Sequence, residues 1–358
     1  MSKIPKIVLS GGPSGGKSKA LRMLKSSLEE LGLTVYTITE CATAVLESGF
    51  DRRRPVYEFQ KAIATLQLER EREYENTVKD GSNAVIICDR GLMDCRVYLD
   101  DDDFARIKKE LGLSDIDLRD RYDAVFHLDS TSTDSNVNYK NSINRIEARD
   151  VARDINELSL RAWCGNPHYR FIPVKPTFDE KFALLLSEVK AFLGIPKPFE
   201  IERKFLIKYP DIEYMMTLPC SKSEIEQTYL YNEKGRYRLR KRGENGDFIY
   251  IKTEKRKINE TVREEIETRL SRAEYDEQMK RGIVIGSIKK DRYCVMYDGT
   301  YYEIDIFPFW KKQAYLEVEL LNENDEVKLP DFVELIREVT YNPEYKNISL
   351  CKKIPDED

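Results

Sequence analysis

The chain has 358 residues, 59 Lys+Arg against 64 Asp+Glu, and a net charge of -5. At roughly 100–200 residues per domain that length suggests two domains, and the missing basic excess argues against duplex nucleic acid as a partner, leaving only a 5′-triphosphate end as a nucleic-acid feature to recognise. Seven scattered Cys, no CxxC and only His127 and His168 exclude a disulfide framework and a His/Cys zinc site, so any metal would be a hard divalent ion on carboxylates.

No apolar run approaches the roughly 20 residues of a membrane span. The opening MSKIPKIVLSGG runs straight into a glycine motif rather than reading as a secretory leader. A reduced, cytoplasmic protein is expected.

Lys6–Ser10 reads as a short apolar strand. Lys17–Leu31 has helical spacing through Ala20, Leu21, Leu24, Leu28 and Leu31, and Gly32 stops it. Strands are expected at Thr34–Thr39, Ala84–Cys88, Tyr122–Leu128 and Tyr169–Val174, with helices over Arg54–Val78 and Phe178–Leu193. Asp100–Asp103 is expected as an acidic loop. Ser130–Ser142 reads as a polar connection before a helix over Ile143–Trp163. Apolar strands alternating with helices predict an α/β domain, a parallel sheet with helices on both faces.

The expected domain bounds are 1–193, a linker over 194–199 marked by Gly194-Ile195-Pro196-Lys197-Pro198, and 200–358. Past the linker, strand candidates dominate: Glu200–Ile207, Glu226–Tyr231, Arg236–Arg242, Phe248–Thr253, Glu264–Leu270, Ser287–Tyr297, Thr300–Phe307 and Ala314–Leu321. Hairpin spacing among them predicts an antiparallel barrel or sandwich.

Residues 11–18, Gly-Gly-Pro-Ser-Gly-Gly-Lys-Ser, fit GxxxxGK[ST] between the first strand and first helix. Gly11, Gly12, Ser14, Gly15 and Gly16 would turn backbone N–H groups onto a phosphate at the positive end of the helix. Lys17 would reach the β/γ-phosphates of ATP or GTP, and Ser18 would ligate Mg²⁺. A GxSxG nucleophile elbow over Gly12–Gly16 is rejected, because the phosphate loop also explains Lys17 and only two histidines are available for a triad. Asp89 ends an apolar strand and is the candidate for Mg²⁺ or for orienting a nucleophile, the alternative being an exposed strand end. Glu40 is either a substrate ligand or a helix N-terminal charge. Arg145 and Arg149 share a helical face. They read either as a lid clamp on phosphoryl charge or as a solvated face. Phe59-Gln60 and Asp89-Arg90-Gly91 resemble the P-loop small-molecule and nucleoside kinases, including ribosylnicotinamide kinases. That resemblance implies an acceptor facing Gln60 and Arg90.

Strand parity groups charges in the second half. Glu200, Glu202 and Lys204 share one face, as do Arg236, Arg238 and Arg240. The same holds for Arg263, Glu265 and Glu267, for Lys290 and Arg292, for Glu303 and Asp305, and for Glu317 and Glu319. Lys252 is a further cation. If the alternate residues Phe205, Tyr237, Leu239, Ile304, Leu316 and Val318 pack outward, the charges face an interior, where unpaired charge is costly. Clustered Arg and Lys suit a polyphosphate, and carboxylates suit its divalent metal.

Glu200-Ile201-Glu202-Arg203-Lys204, Arg236-Tyr237-Arg238-Leu239-Arg240, Lys252, Arg263–Glu267, Tyr302–Asp305 and Glu317-Val318-Glu319 resemble the CYTH, or triphosphate tunnel metalloenzyme, superfamily. The resemblance implies an eight-stranded antiparallel β tunnel that binds triphosphate with Mg²⁺ or Mn²⁺. It implies triphosphate contacts from Lys204, Arg236, Arg238, Arg240, Lys252, Arg263, Lys290 and Arg292. It implies metal or water-orienting roles for Glu200, Glu202, Glu303, Asp305, Glu317 and Glu319. Lys204, Asp305, Glu317 and Glu319 are the expected catalytic set in the tunnel, and Asp89 in the first domain. The order of the halves resembles the family of TRPL translocation defect protein 14, which is associated with GTP and phosphoinositide binding. Three readings stand: a metal-dependent triphosphatase, a non-catalytic binder of GTP and an inositol phosphate head group with peripheral membrane contact, and a P-loop kinase regulated by its tunnel.

Overall fold

A computed structural model describes residues 4–78, 83–130, 149–195, 201–233, 235–257 and 263–357. The chain divides into two compact units, 1–199 and 200–358.

In the first unit, β1 (Lys6–Ser10) carries five consecutive buried residues, the signature of a strand covered on both faces. It is followed by α1 (Lys17–Glu30), β2 (Thr34–Ile38), α2 (Cys41–Glu47), α3 (Val56–Thr77), β3 (Ala84–Asp89), α4 (Asp101–Leu111), α5 (Asp115–Arg119), β4 (Ala124–Leu128), α6 (Arg149–Trp163), β5 (Tyr169–Ile172) and α7 (Phe178–Phe192). The sheet order is β2-β3-β1-β4-β5, and every pairing is parallel. All strands therefore end at one edge, where Asp89 closes β3 and Glu40 and Asp129 lie just past β2 and β4. α1 buries Ala20, Leu21, Leu24 and Leu28 against that sheet. It stops where Leu33 N donates to Leu28 O around Gly32 at φ 86°.

The acidic run expected as a loop belongs to a helix. Asp100 accepts from Asp103 N as the N-cap of α4, and Asp101–Asp103 fill its first turn. Carboxylates at the positive end of a helix stabilise it. The helix expected over Ile143–Trp163 is described from Arg149, and residues 131–148 lie outside the described residues.

The second unit contains β6 (Ile201–Lys208), α8 (Ile212–Thr217), β7 (Cys220–Asn232), β8 (Gly235–Glu244), β9 (Asp247–Lys257), β10 (Arg263–Leu270), α9 (Arg272–Arg281), β11 (Ile283–Tyr297), β12 (Thr300–Ile306), β13 (Gln313–Leu320), β14 (Leu335–Glu338) and α10 (Asn347–Leu350). These strands form one nine-stranded antiparallel sheet, ordered β10-β9-β8-β7-β11-β12-β13-β6-β14. The eight expected strands are all present. The ninth, β14, is only four residues long and mostly exposed; it pairs antiparallel with β6, and just past it Val339 N donates to Lys204 O.

The two faces of this sheet differ. Phe205, Ile207, Ile304, Leu316 and Val318 pack with Met215 of α8. Tyr237 and Leu239 pack with Tyr275 of α9. Helices thus cover one face, and alternation leaves the charged residues on the other. Phe307, Trp310, Tyr315 and Tyr345 form a buried aromatic cluster beside those charges.

Candidate functional site

The first site lies at the end of β1. Gly11 has φ +123°, and a Cβ there would stand 2.3 Å from Leu128 O. Gly16 has φ +87° and caps α1 with no side-chain hydrogen bond to its first turn. Ser14 also has positive φ, 60°. Such reversals turn successive amides inward and build an anion nest. The first-turn N–H groups of α1 have no intrahelical acceptor, so an anion there completes them.

Carbonyls in such a loop must point away from a phosphate, and side chains hold them there. Lys17 Nζ donates to Gly11 O at 2.9 Å and Gly12 O at 2.7 Å. Ser130 Oγ donates to Pro13 O. Lys181 Nζ donates to Gly15 O at 2.9 Å. Asn156 Oδ1 accepts from Gly12 N at 2.8 Å and touches His127 Nε2 at 3.2 Å, while its Nδ2 donates to Asp129 Oδ1 at 2.9 Å. Sequence reading missed Ser130, Asn156 and Lys181. No local spacing marks them, because β4, α6 and α7 deliver them from more than a hundred residues away.

Burial pulls the Lys17 ammonium down to about 7, with Arg90 as the next cause. Ser18 Oγ donates to Asp89 Oδ2 at 2.6 Å. Asp89 is 2 % exposed, its Oδ1 is buried without a partner, and burial raises its carboxyl. A buried orphan oxygen beside a hydroxyl fits a divalent cation. Arg90 holds φ 74°, and its guanidinium reaches Glu40 and Asp94 at 3.4 Å each. Gln60 is buried on α3. Arg145 and the side chain of Arg149 lie outside the described residues.

The second site is the charged face of the second unit. Cross-strand pairing sets Lys204 opposite Glu317, Glu202 opposite Glu319, Glu303 opposite Glu317, and Arg292 opposite Asp305. Arg292 is the hub. Its Nε and Nη2 contact the two Asp305 oxygens at 2.7 Å each, Nη2 contacts Glu317 at 2.6 Å, and Nη1 contacts Glu303. Lys204 Nζ stands 2.6 Å from Glu317 and 3.7 Å from Glu202. Lys290 pairs with Asp305. Burial alone would raise the Glu317 carboxyl, but Arg292, Lys204 and Lys290 hold it well below its usual range. Glu202 moves the other way, up to about 7, through desolvation and the Glu317 charge, although solvent still reaches half of its side chain.

The neighbouring strands carry cations with few carboxylates. Arg240 is drawn down to about 10 by burial and by Arg238, and its Nε donates to Gln227 Oε1 at 3.4 Å. Arg238 donates to Thr253 and Glu267, and its Nε is buried without a partner. Arg236 shares that face by parity and is exposed near the strand start.

Lys252 is a correction. It pairs across strands with Leu239, so it lies on the helix-covered face, opposite Arg238 and Arg240. Its Nζ stands 2.9 Å from Glu254 and 5.0 Å from the Tyr237 ring centre. The expected carboxylate metal set is also not gathered as one. Among the described residues no group of three or more His, Cys, Asp or Glu is placed to hold a metal. Glu303, Asp305 and Glu317 are interleaved with Arg292 and Lys290 instead. Glu319 lies on the charged face by register. Glu200 and the side chain of Arg263 lie outside the described residues.

Residues 6–181 match the AAA domain family, and residues 198–353 match the CYTH domain family. The chain is an AAA domain followed by a CYTH domain. No curated protein matches it. Among solved structures, the inorganic triphosphatase NE1496 is 26% identical over 44% of this chain and 97% of its own, with a TM-score of 0.31. The PH1819 protein from Pyrococcus Horikoshii OT3 is 21% identical over 35% of this chain and 80% of its own, with a TM-score of 0.26. The AAA domain holds the glycine loop, and the CYTH domain holds the charged face. No helix among the described residues is long and apolar enough to cross a membrane.

Proposed function

We propose that the AAA domain binds a nucleoside triphosphate with Mg²⁺ and that the CYTH domain hydrolyses a triphosphate with Mg²⁺ or Mn²⁺. The observation that carries the reading is the mixed-sign charge on one face of the CYTH sheet, with Lys290, Asp305 and Glu317 all buried. Charge of both signs in a buried place is costly unless a ligand uses it. The pairs that Lys204, Lys290 and Arg292 make with Glu202, Glu303, Asp305 and Glu317 offset charge of one sign with the other on this face. A triphosphate would take over these cations together with Arg236, Arg238 and Arg240, and the released carboxylates would turn to the metal.

Among the described residues, Glu202, Glu303, Asp305 and Glu317 stand paired with Lys204, Lys290 and Arg292 rather than gathered as a metal set. A divalent ion brought in with the triphosphate would take the carboxylates those cations release, with Glu319, and would neutralise charge developing on the phosphoryl oxygens. The fit rests on Glu202, which pairs across strands with Glu319 and is half exposed, with only a loose contact of 3.7 Å to Lys204, so that its carboxylate is open to an incoming ion. Lys204 and Arg292 stand beside Glu317, where they stabilise phosphoryl oxygens and the leaving phosphate. Glu317 and Glu319 orient the attacking water. In the AAA domain Ser18 and Asp89 would hold Mg²⁺, and Lys17 would neutralise the terminal phosphates. Which nucleotide, ATP or GTP, occupies the loop is read by the binding of each to the intact chain and to Lys17→Ala.

The test is phosphate release from inorganic triphosphate, ATP and GTP with each metal, on the intact chain, Lys17→Ala and Lys204→Ala. Release lost only in Lys204→Ala is expected. Loss only in Lys17→Ala moves the chemistry to the AAA domain. Retention of an inositol phosphate without any release points to the binding reading.

A further inference from the structure

Besides Lys6, which is paired with Glu71, and Lys17 of the loop, the AAA domain contains a third buried lysine that no loop motif includes. Lys181 of α7 is 6 % exposed. Its Nζ donates to Gly15 O at 2.9 Å and to Asp129 O at 2.5 Å. Both acceptors are backbone carbonyls, and among the described residues no carboxylate oxygen is in ion-pair contact with it. A buried ammonium in that setting is unfavourable by itself. Lys17 repeats the pattern, buried and bonded to the carbonyls of Gly11 and Gly12. Two lysines thus grip one loop by its carbonyls, and among the described residues neither makes a direct ion pair.

Turning the Gly15 carbonyl out toward α7 requires that the following amide, Gly16 N–H, face the other way. That amide and the α1 N-terminus together form the anion nest. Asp129 O belongs to the chain leaving β4, so the same ammonium ties the loop to the sheet edge.

We propose that Lys181 is a positioning residue of the phosphate loop, acting through the Gly15 carbonyl to aim the loop amides and supplying from behind the loop the positive charge that a bound polyphosphate compensates. The proposal rests on the nucleotide reading of the AAA domain. Lys17 reaches the phosphates directly, whereas Lys181 acts only through backbone and field. Among the described residues, the titratable groups that interact with it are Asp129, just past β4, and His127 of β4. Burial draws the Lys181 ammonium down to about 8, against the pull of Asp129, and burial holds His127 neutral with its proton affinity at about 3. A bound polyphosphate favours the charged lysine, so binding takes up a proton above about pH 8. Affinity therefore falls as pH rises through that value.

The experiment titrates ATP and GTP with Mg²⁺ into the full chain carrying Lys204→Ala, which removes one cation of the CYTH face, and binding at the loop is the part lost on adding Lys17→Ala. The parent is compared with added Lys181→Met, Lys181→Arg and Lys17→Ala between pH 6.5 and pH 9.5. Lys181→Met is expected to weaken binding about tenfold at neutral pH, the loss of one charge-assisted contact. Its affinity should fall less steeply above pH 8, by about one proton. Lys181→Arg should restore most of the affinity and keep the flattened slope, because its charge does not titrate. An unchanged affinity in Lys181→Met overturns the proposal. So does a loss with the parent's full pH slope, which would make Lys181 a packing residue only. No nucleotide binding by the parent overturns the nucleotide reading as well, and binding lost in Lys17→Ala but not in Lys181→Met overturns the proposal alone.

Discussion

The two domains present opposite solutions to holding a polyphosphate. The AAA site is built from backbone: a loop with reversed φ at Gly11, Ser14 and Gly16, and the uncapped start of α1. The CYTH site is built from side chains on a sheet face, with Arg292 in contact with three carboxylates. Backbone amides carry partial charge and are positioned by the chain itself, so side chains are needed only to hold carbonyls out of the way. A sheet face has no free amides, so full charges must do the binding, and they must neutralise one another when no ligand is present. The first arrangement is compact and contiguous in sequence. The second is spread over many strands and depends on their register.

The largest expected effect follows from this difference. Lys204→Ala removes a full charge beside Glu317, and we expect phosphate release in the CYTH domain to fall about 10²–10³-fold, while nucleotide affinity at the AAA loop stays within a factor of two. Equal loss in both would break the comparison. Next is Arg292→Met. Removing the hub leaves Asp305 and Glu317 buried without their main partner, which should destabilise the CYTH domain by about 3–5 kcal/mol. Calorimetric melting should show that loss, and an unchanged melting profile would mean that the network carries no such weight.

A smaller effect concerns pH. Glu202 holds its proton up to about 7, and a divalent ion needs the ionised form. Apparent Mn²⁺ affinity in the phosphate-release assay should therefore rise with pH toward about 7 and level off above it, by up to about tenfold per pH unit on the rising limb. Glu202→Gln should flatten the curve, and a curve of the same shape in that variant would remove Glu202 from the metal set. The smallest effect sharpens the parity argument. Lys252→Ala, on the helix-covered face, should change phosphate release by less than about twofold, while Arg240→Ala on the charged face should cost about tenfold or more. Equal effects would contradict the register that pairs Lys252 with Leu239.

Much of this was legible beforehand, for identifiable reasons. The glycine loop is a local motif, and a strand before it and an amphipathic helix after it were expected and are present. Charge parity on β6, β8, β12 and β13 was also readable, because strand alternation is strict over a few residues. Parity fails across strands when the register is unknown, and Lys252 shows it. Its sequence neighbours cannot say that it faces Leu239. The acidic run at Asp100–Asp103 misled because charge clusters look alike in loops and in first helical turns, until a backbone N–H such as that of Asp103 is seen to need a cap.

The sequence by itself determined the two-part architecture, the phosphate loop with Lys17 and Ser18, the strand-ending Asp89 and the alternation that puts charge on one face of the second half. All of these follow from short-range periodicity and composition. Only the tertiary structure decided which charges meet. It brought Arg292 to Asp305 and Glu317, and it delivered Lys181, Asn156 and Ser130 to the loop from distant elements. It also turned Lys252 away from the charged face. Charge pairing depends on distances of a few ångströms between residues far apart in the chain, and those distances are set by strand register and helix packing rather than by local spacing.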